Sequence, residues 1–129
     1  MQLTDQKDAI RHFIEQMDIE MIDQILDDGT TYQDFEKHQF ISKLQLTFDQ
    51  FMELGDTSLI SCAGVCDDCD KGQPGYTFVG NNSGNYMSII FETENGEVQD
   101  LYECLDFKNK RNVLKLNERV FIDRSEYPF

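Results

Sequence analysis

Three of the four cysteines in this 129-residue chain fall within the stretch CAGVCDDCDKGQPG at positions 62–75, among three aspartates. Cys66 and Cys69 form a C-x-x-C, the spacing with which a turn aims two thiolates at one ion. A second such pair is absent. The most buildable metal reading is therefore a zinc site on Cys62, Cys66 and Cys69, completed by one of Asp67, Asp68 and Asp70 or by water. An ordinary turn with reduced thiols is its main rival. Redox chemistry is weaker, because neighbouring aspartates raise a thiol's pKa while a reactive cysteine needs positive surroundings. Calcium is poorly supported, since Asp68-x-Asp70-x-Gly72 lacks the later glutamate of a calcium loop.

Geometry limits the zinc site. On a regular strand Cys62 and Cys66 share a face but stand about 13 Å apart, whereas a zinc ion holds its sulfurs within about 4 Å of one another. They meet only if the strand breaks between them, and Gly64 is the residue suited to a bulge. Cys104 lies farther off. The Asn95-Gly96 turn sets it opposite Met87, and the row continues through Phe78 to the neighbourhood of Gly64. Three strand spacings amount to about 14 Å, so Cys104 reads as a small core residue. No cofactor is established by these residues, and zinc is the one they point to.

Composition sets the class. Hydrophobic residues make up 40% and charged residues 28% of the chain, the profile of a folded globular protein. No apolar run approaches the roughly 18 residues of a membrane span. The opening MQLTDQKDAIRHF has no basic region followed by an apolar one, so no signal peptide is expected and a cytoplasmic location follows as the default. The net charge is −14, with 5 basic and 22 acidic groups in residues 1–107 against 6 and 3 in residues 108–129. Such an acidic body repels phosphate backbones, so nucleic acid is not an expected partner. The KNKR run at 108–111 reads as a solvated basic loop.

The hydrophobic period predicts the elements that must position these residues. In TDQKDAIRHFIEQM, Ile10, Phe13, Ile14 and Met17 make one buried helical stripe. Asp18 caps a second helix, IEMIDQILDD, which Gly29 is expected to end through positive φ. TTYQDF reads as one short strand. EKHQFISKLQLTFDQFMEL, residues 36–54, is the longest helix, and Gly55 stops it. The period then changes to two. SLISCAGVC, YTFVG, NYMSIIFETE and EVQDLYECLDF are four strands, the last two joined by Asn95-Gly96, whose pairing signals a type I′ turn. Residues 1–129 are expected to form a single domain: a helical part with one short strand (1–56), an antiparallel meander (57–107) and a C-terminal extension (108–129). The extension RNVLKLNERVFIDRSEYPF reads as an added strand, a packed extension or a contact with a second copy. The result is an α+β fold with helices on one face of an antiparallel sheet.

This order, with the stretches ILDDGTTYQDF and GEVQDLYECLDF, resembles the nuclear transport factor two-like superfamily, or cystatin-like cone. The resemblance covers residues 4–107. It implies N-terminal helices closing one side of a strongly curved antiparallel sheet and leaving a cone-shaped pocket. Members include isomerases, dehydratases, hydrolases and SnoaL-like cyclases, as well as binding-only and dimerising proteins, so fold alone does not settle activity. In the enzymes a carboxylate from the first strand often acts as base. The matching position is Asp34, with Tyr32 on the same strand, while Asp100 and Tyr102 alternate along the last strand and would face the same cavity. A raised carboxylate near a tyrosine can abstract a proton beside a carbonyl. The tyrosine of the isomerases' first helix has no counterpart here. For Asp34 the plainer role is a cap on the following helix. Phe78 is an expected cavity-lining side chain, although most such residues are core. His12 and His38 read as boundary or surface side chains. The leading expectation is a domain that binds a small apolar ligand or a partner, forms a homodimer through its open sheet face and has no established catalysis. Its alternatives are an isomerase, dehydratase or hydrolase and a zinc-stabilised or metal-sensing module.

Overall fold

The computed structural model of the chain describes residues 5–64, 74–103 and 118–122. Helix α1 (Gln6–Glu15) starts at Asp5, whose carboxylate accepts the Asp8 N–H at 2.8 Å, satisfying one of the orphan donors of a first turn. Asp18 does the same for α2 (Ile19–Ile25), accepting from Met21 N–H at 3.3 Å. Between the two helices the Met17 N–H donates to Ile14 O and the Asp18 N–H to Phe13 O, with Met17 at φ +54°. That is a Schellman stop with methionine in the left-handed position glycine usually takes. Of the expected α1 stripe only Ile10 and Ile14 are fully buried; Phe13 and Met17 pack at the margin of the core. Gly29 does not end α2. The helix stops at Leu26, which turns extended at φ −71°, ψ 147°, and Gly29 is absent from the positive-φ residues.

TTYQDF is not one strand. Thr31–Tyr32 (β1) and Phe35–Glu36 (β2) pair antiparallel across a two-residue turn. Gln33 at φ +52° and Asp34 at φ +66° occupy that turn, and positive φ at both central residues marks the I′ class. Helix α3 (Lys37–Glu53) follows, burying Phe40, Leu44, Thr47, Phe48 and Phe51 along one face. Gly55, at φ +88°, stops it as expected.

The main sheet is antiparallel in the order β3 (Leu59–Gly64), β4 (Gly75–Gly80), β5 (Tyr86–Glu94), β6 (Glu97–Glu103). With the three helices this makes an α+β fold. The Asn95-Gly96 turn has φ of +53° and +83°, and its pairing holds for Glu94 with Glu97 and Thr93 with Val98. A bulge then shifts β6 by one residue, so Phe91 faces Leu101 and Ile89 faces Glu103. The register expected from the turn is thus broken within the described part of the hairpin, and the expected pairing of Cys104 with Met87 lies outside the described residues. Phe78 does pair with Met87, but its other neighbour is Ser61 rather than a residue near Gly64.

One core gathers the inward faces of the helices and the sheet. Phe78 and Phe91 stack at 6.5 Å with Tyr76 edge-on to Phe91 at 5.4 Å, each buried ring worth about 1.5–3 kcal/mol in water exclusion. The opposite face is not open along the central strands. Thr77, Val79, Ser88 and Ile90 are all buried there, and the Thr77 and Ser88 hydroxyls bond each other at 3.1 Å. Within the C-terminal extension, Glu118–Ile122 packs onto the core: Arg119 bridges Tyr86 in parallel, and Val120 and Ile122 are buried. A carboxylate secures the far end of the sheet. Asp56, 2% exposed, accepts the Asn82 and Ser83 N–H groups and the Ser83 hydroxyl, each at 2.7 Å. Gly80 is required beneath it, since a Cβ there would lie 2.2 Å from its Oδ2. Among the described residues no helix is long and apolar enough to cross a membrane.

Candidate functional site

The two candidate bases are brought together, though at a surface rather than in a pocket. Asp34 is exposed at the tip of the β1–β2 turn. It caps nothing: the residue at the start of α3 is Glu36, whose side chain makes no cap bond. Asp100 is half-buried on β6, and one of its oxygens accepts the Gln33 N–H at 2.9 Å. Burial pushes the Asp100 carboxyl above its usual range and the charge of Asp34 adds to this, while backbone N–H groups of Gln33 and Leu101 pull it back. A carboxylate with this bias holds its proton more readily than an exposed one and is suited to general acid–base work.

The expected partners do not join it. Tyr32 is fully buried against Phe40, and its hydroxyl oxygen accepts the Asp27 N–H at 3.0 Å. Burial raises its pKa, so it stays a neutral phenol engaged in holding the α2–β1 connection. Phe78 is sealed in the aromatic stack. Leu101 points into the core, and strand alternation puts its neighbours Asp100 and Tyr102 on the other face, with Tyr102 opposite Ile90. The five residues therefore divide between the core, the far face and the turn, and one shared cavity is not what they form.

The inward polar pair is a different one. Glu103, buried on β6, accepts Gln33 Nε2–H at 3.1 Å and the Ile122 N–H at 2.5 Å. Its own N–H donates to Gln33 Oε1 at 3.0 Å. This exchange binds the β1–β2 turn, the last strand and the C-terminal extension into one knot, with both carboxylate oxygens engaged. Sequence reasoning passed over it. The signal was the alternation that turns Leu101 inward, which turns Glu103 inward as well.

A second feature lies at the α1–α2 corner. His12, Phe13, Gln16, Met17, Asp18, Ile19 and Glu20 line a groove of about 660 Å³. Phe13, Met17 and Ile19 supply an apolar floor that rests on the core without being consumed by it. His12 stands edge-on to Phe13 at 5.1 Å. His38 lines a smaller groove of about 310 Å³ with Asp23, Asp28, Glu36 and Lys37, where Lys37 is tied to Asp28 at 2.6 Å and to Asp23 at 3.5 Å.

Cys62 is a free, half-exposed thiol on β3, in register with Thr77 and, beyond it, Ser88. Cys66 and Cys69, its partners in the zinc reading, lie outside the described residues. Among the described residues no cluster of three metal-ligating side chains occurs. In comparisons with known proteins, no family model, no curated protein and no solved structure matches this chain.

Proposed function

We propose that this chain is a binding domain of the nuclear transport factor two-like kind, whose occupant seats on the α1–α2 groove, and that it carries no catalytic step of its own. Support for the family comes from element order: two helices, a hairpin, a long helix and a four-stranded meander, with the hairpin tied to the last strand through Gln33. The strongly curved, cone-shaped sheet belongs to that reading. The observation that carries a binding role is the groove. Three large apolar side chains, Phe13, Met17 and Ile19, stay partly exposed and line this open surface groove together. The competing enzyme reading, an isomerase, dehydratase or hydrolase with Asp100 as base, draws on its raised carboxyl. One of its two tyrosine donors, Tyr32, is committed to the core and to the Asp27 N–H, which leaves Tyr102, on the same strand face as Asp100, as the donor that reading would need.

The test is backbone-amide NMR of the labelled protein titrated with an uncharged apolar fluorescent probe, N-phenyl-1-naphthylamine. Shifts concentrated at residues 12–20 are expected. Shifts that avoid these residues would overturn the reading, and shifts centred on Asp100 and Tyr102 would transfer the site to the enzyme alternative.

A zinc-stabilised module is the second reading, favoured by the accessible, unpaired thiol of Cys62 ahead of Cys66-x-x-Cys69. It expects about one zinc per chain by elemental mass spectrometry, and a melting temperature lowered by chelator and by Cys66→Ser with Cys69→Ser alike, as for structural zinc sites. Metal-free protein with four titratable thiols would remove it.

A further inference from the structure

We propose that the occupant of the α1–α2 groove is a cationic amphipathic segment of a partner protein, with one large apolar side chain on the Phe13–Met17–Ile19 floor and lysine or arginine residues flanking it. This rests on the groove being the binding site, as argued above, and names what it takes.

Asp18 and Glu20 line the groove, and neither has an ion pair among the described residues. Among the described residues, cations of the helical part are engaged elsewhere. Lys7 lies 3.9 Å from Asp8, and Lys37 is held by Asp28 and Asp23. Arg11 stands 4.3 Å over the Tyr76 ring while its Nε–H donates to Ser61 at 2.8 Å. His12 is the one basic side chain in the lining. An occupant without positive charge would gain nothing from these two carboxylates, of which Asp18 already accepts the Met21 N–H, whereas a cationic one would find both unpaired by any cation among the described residues. An anionic ligand would also be repelled by a chain of net charge −14, whereas a cationic segment is attracted both locally and at long range.

Backbone conformation points to the same place. Met17 sits at φ +54° in a Schellman stop, where a side chain costs on the order of 1 kcal/mol relative to glycine. The stop sets a flexible thioether on the groove floor, a group that adapts to differently shaped apolar partners. Three partly exposed apolar side chains supply the anchor pocket, and the carboxylates sit on its rim. Such a division of an apolar centre and a charged rim is how peptide grooves separate affinity from specificity.

The experiment uses the intact chain and short synthetic peptides with a central Phe or Leu, flanked either by Lys and Arg or by Glu, together with a Lys/Arg-flanked control carrying Ala at the centre. Fluorescence anisotropy is read at low and high salt. The cationic apolar peptide is expected to bind, to lose about tenfold in affinity when its centre is Ala and to weaken with salt. Glu20→Lys should cost a few-fold, the worth of one rim charge. Met17→Gly should abolish the preference for the apolar centre while leaving the protein folded, because relief of the left-handed strain offsets the lost packing. Equal binding of Glu-flanked and Lys/Arg-flanked peptides would overturn the proposal. So would binding untouched by Met17→Gly, since attraction to the acidic body in general would then explain it. If the naphthalene probe maps to residues 12–20 and the cationic peptides show no preference, the groove reading stands and this inference falls. If the probe also avoids residues 12–20, both fall.

Discussion

Two hairpins in this molecule use the same two-residue turn class for opposite reasons. At Asn95-Gly96 both positive φ values, +53° and +83°, are set by residues that adopt them at little cost. The turn is exposed, and a Cβ on Gly96 would meet nothing within 4 Å. Nothing tertiary is needed to hold it. At Gln33-Asp34 the same conformation, +52° and +66°, is taken by residues that disfavour it. Here the bonds are long-range: Gln33 N–H to Asp100, the Gln33 amide to Glu103, and the Glu103 N–H back to Gln33. The first turn is dictated locally and the second is held by what it docks against. Strain in the second is the cost of delivering Asp34 to the side of Asp100 and of burying a polar knot between β1 and β6.

The contrast breaks most sharply at Glu103. Glu103→Ala strands the Ile122 N–H and the Gln33 amide in a buried setting, and roughly 3 kcal/mol of stability is expected to go. Glu103→Gln keeps one acceptor oxygen but presents an NH₂ group to a donor, and should cost about 1–2 kcal/mol. Equilibrium urea denaturation measures both. Losses under about 0.5 kcal/mol would mean the second hairpin is not held by this knot. The local turn is tested by Gly96→Ala, which puts a Cβ at φ +83° for about 1–2 kcal/mol, with no effect on residues around Glu103. The third effect has the opposite sign. Asp34→Gly removes an exposed side chain from a left-handed position, and a gain of about 0.5–1 kcal/mol is expected. A loss instead would show that the Asp34 carboxylate contributes a stabilising contact of its own.

The same contrast explains what could be read from the sequence. The four-stranded meander, the Asn95-Gly96 turn, the Asp18 cap and the Gly55 stop are local chemistry, and each was legible from a few neighbouring residues. The Gln33-Asp34 turn was not, because neither residue advertises positive φ strongly enough to divide TTYQDF into two strands. The one-residue bulge that moves Leu101 opposite Phe91 carries no glycine or proline to mark it. Asp34 and Asp100 come close enough for the charge of one to act on the other, but Tyr32 and Phe78 look the same in sequence whether they line a cavity or fill a core. Tyr32 is taken by the Asp27 N–H, a partner that only the folded chain identifies. Phe13 and Met17 fit a buried stripe by spacing alone. The structure leaves both only partly buried, at the margin of the core where α1 ends after Glu15.

The smallest expected effect concerns pH and divides the hairpins again, since only the docked one places a carboxylate against a shifted neighbour. Burial first, and then the charge of Asp34, raise the Asp100 carboxyl above its ordinary 3.8. The folded protein therefore binds this proton more readily than the unfolded chain does. The favourable contribution is complete below the ordinary value and is lost as pH rises through the raised one, leaving a residual penalty for the buried anion at neutral pH. Asp100→Asn removes the titration while keeping an oxygen to accept the Gln33 N–H. Relative to wild type, the variant should gain stability progressively on going from about pH 4 towards pH 7 and then level off. Asp34→Gly should move wild-type behaviour part of the way in the same direction, because it removes the second cause and leaves the first. If the gap between Asp100→Asn and wild type closes as pH rises, the N–H groups of Gln33 and Leu101 outweigh burial. Asp100 would then be an anion held by the turn, with no bias toward carrying a proton, and the enzyme alternative would lose its remaining support.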